Sequence, residues 1–157
     1  MRKRIVPIEG TPSPDEDGGW LDLGALAEVE ISSEDPAYPI EAALVPGHET
    51  GWRAGKPGRQ VIRLLFSPAQ RVTRIRLHFE ETSVARRQEY ALLWSPERNQ
   101  PCREIVRQQW NFSPSGATVE IEDHRVDLPT VAVLELVIDP GSEGQAVFAS
   151  MESMQVA

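Results

Sequence analysis

Hydrophobic and polar positions alternate along most of this 157-residue chain in short runs broken by turn signals. The clearest run covers 72–80. Thr73, Ile75, Leu77 and Phe79 fall on one side of a period-2 pattern, and Arg74, Arg76, His78 and Glu80 on the other. Successive side chains of a strand point to opposite faces, so this run predicts one buried face and one solvated face. Further strands are predicted over 27–31, 40–44, 60–66, 89–94, 103–110, 117–122, 131–138 and 145–151. From Val131 to Leu136 only Glu135 is polar, which predicts a strand buried on both sides. Pro46-Gly47, Ser67-Pro68, Ser95-Pro96 and Asp139-Pro140-Gly141 punctuate these runs. A short helix is expected within 21–27, where Leu23, Leu26 and Ala27 have helical spacing. Residues 1–19 read as a flexible acidic tail, and 20–157 as a single domain. The expected fold is all-β, an antiparallel sandwich or barrel of about eight or nine strands.

Composition narrows the setting. The one cysteine, Cys102, excludes an intrachain disulfide and points to a reducing compartment, so a cytoplasmic location is expected. The basic start Met1-Arg2-Lys3-Arg4 is followed by too few apolar residues for a signal peptide, and no run suits a membrane helix. No membrane partner is expected. The net charge of −8 argues against nucleic acid as a partner. Charge is unevenly spread: net −8 over residues 1–49, +7 over 50–107 and −7 over 108–157. Basic middle strands can neutralise acidic neighbours through cross-strand pairs, or can form a face for an anionic ligand.

Several segments occur in a telling order. They are Val29-Glu30-Ile31-Ser32-Ser33-Glu34, then Ile40-Glu41-Ala42-Ala43-Leu44, then Gly51-Trp52-Arg53-Ala54. Gly58-Arg59-Gln60-Val61-Ile62, Val72-Thr73-Arg74-Ile75-Arg76-Leu77 and Tyr90-Ala91-Leu92-Leu93-Trp94-Ser95 follow. From Val29 onward the chain resembles the discoidin-like domains (coagulation factor 5/8 type C, galactose-binding-like). It departs from secreted relatives in lacking a closing disulfide, and it has Leu134-Glu135-Leu136-Val137-Ile138 where a late strand often carries an Arg. The resemblance implies a jelly roll whose ligands meet loops gathered at one end. Many relatives bind sugars, and others bind proteins or lipids. A structural calcium ion, held largely by backbone carbonyls, is also implied as a possible cofactor.

Enzyme motifs are absent: no Gly-x-Ser-x-Gly elbow, His-Glu-x-x-His, phosphate loop or Gly-x-Gly-x-x-Gly is present, so no catalytic role is expected. The segment 46–59 concentrates His48, Glu49, Trp52, Arg53, Lys56 and Arg59. A sugar site needs an aromatic face for the ring and charged or amide groups for its hydroxyls. Trp52 could be that platform, or the buried anchor of the loop. A second candidate segment, 81–88, carries Arg86 and Arg87, whose forked guanidinium groups suit carboxylates, phosphates or vicinal hydroxyls. The expectation is a non-catalytic module whose partner is a carbohydrate. The alternative is a protein-interaction domain using a basic sheet face of Arg74, Arg76 and His78.

Overall fold

The computed structural model describes residues 19–141 and 146–157, so the proposed tail lies outside the described residues except for Gly19. Two elements organise the molecule, β3 (Gln60–Glu80) and β6 (Val119–Asp139), each 21 residues long and antiparallel to one another. Their pairing is regular at both ends and broken between Leu65 and Arg74. That break is the corner at which each strand passes from one layer of the sandwich to the other. In the first layer, β1 (Ala27–Ile31), β3, β6, β4 (Arg86–Ser95) and β5 (Arg103–Phe112) lie in that order. In the second layer, the far ends of β3 and β6 are joined by β8 (Ser153–Val156), which pairs with Ile75–His78. A two-stranded ribbon of β2 (Trp52–Pro57) and β7 (Phe148–Met151) completes the fold.

The core lies between the layers. Ile62, Leu64 and Phe66 alternate inward on β3 before the corner, and Ile75, Leu77 and Phe79 after it. They pack with Tyr90, Leu92, Leu134, Leu136 and Ile138. The Phe79 and Tyr90 rings, from strands of different layers, have centroids 5.5 Å apart. Fully burying each such side chain is worth about 1.5–3 kcal/mol, which makes this the main cohesive term. Val131 to Leu134 are all buried, as the apolar run predicts for a strand flanked by β3 and β4.

Several expectations are corrected. The segment 40–44 is not a strand: Glu41–Leu44 is a short helix, α2, in which Val45 N–H donates to Glu41 O at 2.9 Å. Three consecutive buried residues, Ala42, Ala43 and Leu44, suit a helical turn wedged into the core and not a strand with alternating faces. A second short helix, α1 (Leu23–Leu26), forms within the expected 21–27, capped by Asp22, whose carboxylate accepts from Ala25 N–H at 3.2 Å. The expected strands 60–66 and 72–80 are one bent strand, as are 117–122 and 131–138. Gln145 lies outside the described residues, and the strand there is Phe148–Met151. The expected loop 46–59 contains β2, and β8 was not foreseen.

Candidate functional site

At the end of the sandwich where β3 runs into β4 there is a cleft of about 460 Å3. Three segments wall it: Glu49 to Arg53 leading into β2, Glu80 to Val84 between β3 and β4, and Ala146 to Phe148 with Ser150 and Glu152 around β7. Tyr38 closes one side. Both segments singled out by sequence therefore contribute to one concavity. Gly51 lets the first of them lie against the end of β7: a Cβ there would collide with Met151 O and lie 2.6 Å from Glu152 Cα. Only glycine allows the β2 backbone to come so close.

Within the cleft, Arg53 is exposed and positioned by its neighbours. Its backbone N–H donates to Tyr38 O at 3.1 Å, and its carbonyl accepts from Asp35 N–H at 2.8 Å. Its guanidinium carbon lies 4.6 Å from the centroid of the Tyr38 ring, a cation–π contact that aims the planar fork along the cleft wall. Phe148 is 44% exposed and supplies a second aromatic surface, and Val84 stands exposed on the opposite segment. Thr50, Thr82, Ser83 and Ser150 add hydroxyls. Glu49, Glu80, Glu81 and Glu152 add carboxylates. Partial burial, then the charge of Glu80, pushes the Glu152 carboxyl above its usual range.

The expected site residues divide. Glu49 and Arg53 line the cleft, and His48 is exposed beside that segment without lining it. Of the two readings of Trp52, the ligand platform is corrected and the buried anchor stands: it is 1% exposed, and its indole N–H donates to Ser33 O at 3.1 Å. Lys56 is exposed further along β2, outside the cleft lining. Arg59 lines a separate recess of about 70 Å3 with Glu89 and Arg107. Arg86 is corrected likewise. It is buried, donating from Nε to Glu81 Oε1 at 2.8 Å, and from Nη1 to Gln88 Oε1 at 2.9 Å and Pro140 O at 3.1 Å. It is thus a strut behind the cleft wall and not a ligand contact. Arg87 is exposed and donates to Gln109 on β5, away from the cleft.

The basic sheet face is also corrected. Arg74 is 1% exposed, covered by the Trp20 ring at 4.8 Å and paired with Asp123. Thr73, assigned to the buried side, is exposed instead. Arg76 and His78 are half-buried, and His78 Nε2 lies 3.1 Å from Glu80 Oε1. No continuous basic face remains from these three residues.

Behind the Arg86 strut is a polar cluster that the sequence did not suggest. Gln88 Nε2 donates to Glu120 Oε1 at 3.3 Å, and Glu120 is 1% exposed. Burial, then the charge of Glu122, pushes the Glu120 carboxyl up to about 7. Nearby on β6, His124 Nε2 lies 2.7 Å from the Tyr90 hydroxyl, and burial lowers the histidine pKa.

No group of three or more His, Cys, Asp or Glu side chains that could hold a metal occurs among the described residues. Among the described residues, no helix is long and apolar enough to cross a membrane.

No protein-family model matches the sequence, and no curated protein matches it. Solved structures do. CpGH89CBM32-5 from Clostridium perfringens, in complex with GalNAc-β-1,3-galactose, is 19% identical, with a TM-score of 0.65 over 87% of this chain and 98% of that one. The family 32 carbohydrate-binding module of Clostridium perfringens NanJ, in complex with galactose, is 16% identical, with a TM-score of 0.64 over 87% and 96%. Chitosan-binding module 1 from a Paenibacillus sp. IK-5 chitosanase/glucanase is 18% identical, with a TM-score of 0.58 over 87% and 98%. At these identities the likeness is one of fold. The chain has the discoidin-like, galactose-binding jelly-roll fold shared by carbohydrate-binding modules.

Proposed function

We propose that this protein is a non-catalytic carbohydrate-binding module that takes its sugar in the loop-end cleft. The observation that carries the proposal is the convergence of Arg53, Tyr38 and Phe148 on a concavity of about 460 Å3. A pyranose has an apolar C–H face and a rim of hydroxyls. Phe148 offers a surface for the first, and Arg53 and the Thr and Ser hydroxyls suit the second. Similar structures are named for galactose, chitosan and pectin ligands, which supports a sugar without choosing one.

Thermal unfolding of the full chain against a panel of mono- and oligosaccharides tests this. A ligand at about ten times its Kd stabilises by about 1.4 kcal/mol, or about 3–6 °C for a domain of this size. A saturable shift that disappears in Arg53→Ala and Phe148→Ala proteins with unchanged ligand-free midpoints is the expected result. A shift that survives both substitutions would place the sugar elsewhere, and no shift with any sugar would overturn the proposal.

A further inference from the structure

We infer that Glu120, buried behind the cleft, tunes the order of the cleft wall through Gln88 and Arg86, so that gain or loss of its proton tightens or loosens residues 81–84. The inference goes beyond the carbohydrate reading and holds whatever the cleft takes. Four contacts make the link. Gln88 Nε2 donates to Glu120 Oε1 at 3.3 Å, and Gln88 Oε1 accepts from Arg86 Nη1 at 2.9 Å. Arg86 Nε donates to Glu81 Oε1 at 2.8 Å, and Glu81 Oε2 accepts from Ser83 N–H at 3.2 Å. Glu81, Thr82, Ser83 and Val84 all line the cleft. Glu120, Gln88 and Arg86 are buried, so the link runs through the interior and not across the surface.

Arg86 is the hinge of this link. Its Nη1 is taken by Gln88 and Pro140 O, its Nε by Glu81, and the Phe112 ring covers it at 4.8 Å. Its Nη2 is buried without a hydrogen-bond partner among the described residues. An enclosed guanidinium with one N–H group unpartnered is able to take a second carboxylate. Glu120 is near enough for the Arg86 charge to act on its carboxyl. The groups facing Glu120 are Glu122 from its own strand, which shares a hydrogen bond with it, and Arg86, Gln88 and Tyr90 from β4. Its partner on β3 is Phe79, which carries no charge. With Glu120 protonated, Glu81 is the carboxylate that holds Arg86. With Glu120 ionised, two carboxylates compete for one cation in a medium that screens them poorly. Arg86 then shifts toward Glu120, its bond to Glu81 weakens, and the wall held by that bond loosens. Burial and the charge of Glu122 place the loss of the proton at about pH 7, so the change falls close to neutrality.

Amide exchange of the full, ligand-free chain, followed by NMR between about pH 6 and 8, tests the inference. The Ser83 amide is the reporter, because it is bonded to the Glu81 carboxylate. Its protection, corrected for the intrinsic pH dependence of exchange, should fall by at least about three-fold across that range, with the same midpoint as the Glu120 carboxyl carbon. The step should be absent in Glu120→Gln, which keeps the shape and an acceptor for Gln88 but does not titrate. It should persist in His78→Gln, the control for the His78 ring that lies 3.1 Å from Glu80 on the same wall. In the parent alone, no step at Ser83, or a step whose midpoint differs from that of the Glu120 carboxyl, would overturn the inference. A step retained in Glu120→Gln or lost in His78→Gln would overturn it as well. None of these outcomes bears on whether the cleft binds a sugar, which the thermal-shift experiment decides separately.

Discussion

Trp52 donates its indole N–H to the backbone carbonyl of Ser33 at 3.1 Å, and this bond fastens the segment that walls the cleft to the start of the sandwich. The side chains of Ser32 and Ser33 both donate to Gln60 Oε1 at 2.6 Å, and Ser33 Oγ accepts from Gly55 N–H at 3.1 Å. The ring is almost wholly buried, so it contributes packing as well as its hydrogen bond. Truncating a buried Trp leaves a large cavity, so Trp52→Ala is expected to cost about 3–5 kcal/mol in urea unfolding. Arg53→Ala, one residue along and exposed, should change stability by no more than about 0.5 kcal/mol. Similar costs for the two would show that Trp52 is not the anchor described.

The Arg86 strut gives a second prediction. Its guanidinium is buried behind the cleft wall and has Glu81 as its carboxylate partner. Glu81→Gln keeps the shape but strips the buried cation of its counter-charge, so a loss of about 2–4 kcal/mol is expected by denaturant unfolding. Amide exchange of residues 81–85 should quicken in the same variant, because the strut holds that segment. Unchanged exchange would mean that other contacts fix this wall.

Glu120 gives a pH dependence with a definite sign. Its folded pKa, about 7, lies above the ordinary value of 4.5. Between those values the folded protein keeps a proton that the unfolded chain releases, so the contribution of Glu120 to stability falls as pH rises through that window. The groups facing it are Glu122 on its own strand and Gln88 and Arg86 on β4. Glu120→Gln should remove this component and leave the protein about 1–3 kcal/mol more stable than the parent near pH 8. Parallel stability profiles for variant and parent would refute the assignment.

Asp123 behaves in the opposite sense. Arg74 holds its carboxyl below the usual range, so its contribution is present above the unfolded pKa and is lost as pH falls through the folded one. Asp123→Asn should therefore destabilise the protein by about 2–4 kcal/mol at neutral pH and show a shallower loss on acidification. An acid limb as steep as that of the parent would show that other carboxylates govern it.

Much of the fold was legible because the hydrophobic pattern reports burial directly. The alternation over 72–80 placed Ile75, Leu77 and Phe79 inward, though not Thr73, and the apolar run from Val131 to Leu134 gave a strand with the right buried residues. The pattern does not report strand corners. Residues 67–71 look like a turn between two strands, yet β3 bends there and continues in the second layer. Residues 40–44, Ile-Glu-Ala-Ala-Leu, read as a strand because so short a mostly apolar segment fits either a strand or a helical turn.

The site was half legible. Ser32, Ser33, Trp52 and Gln60, which carried the family resemblance, converge on one structural network and not on the ligand surface. Phe148, Ser150 and Glu152 were missed, since they reach the cleft only through the pairing of β2 with β7 and the approach at Gly51, and Tyr38 was missed because it is brought there by the Arg53 N–H bond to its carbonyl. Arg74 and Arg86 read as exposed cations because a single sequence does not reveal that Trp20 and Phe112 cover them, at 4.8 Å in each case.

The most direct test of the cleft as a sugar site is a chemical-shift map of the backbone amides during titration with the oligosaccharide that gives the largest thermal shift. Perturbations concentrated at Tyr38, Glu49 to Arg53, Glu80 to Val84 and Ala146 to Glu152 are predicted, with Arg76, Lys56 and Arg59 unmoved. Perturbations centred on the sheet around Arg76 and His78, with the cleft residues unaffected, would contradict it.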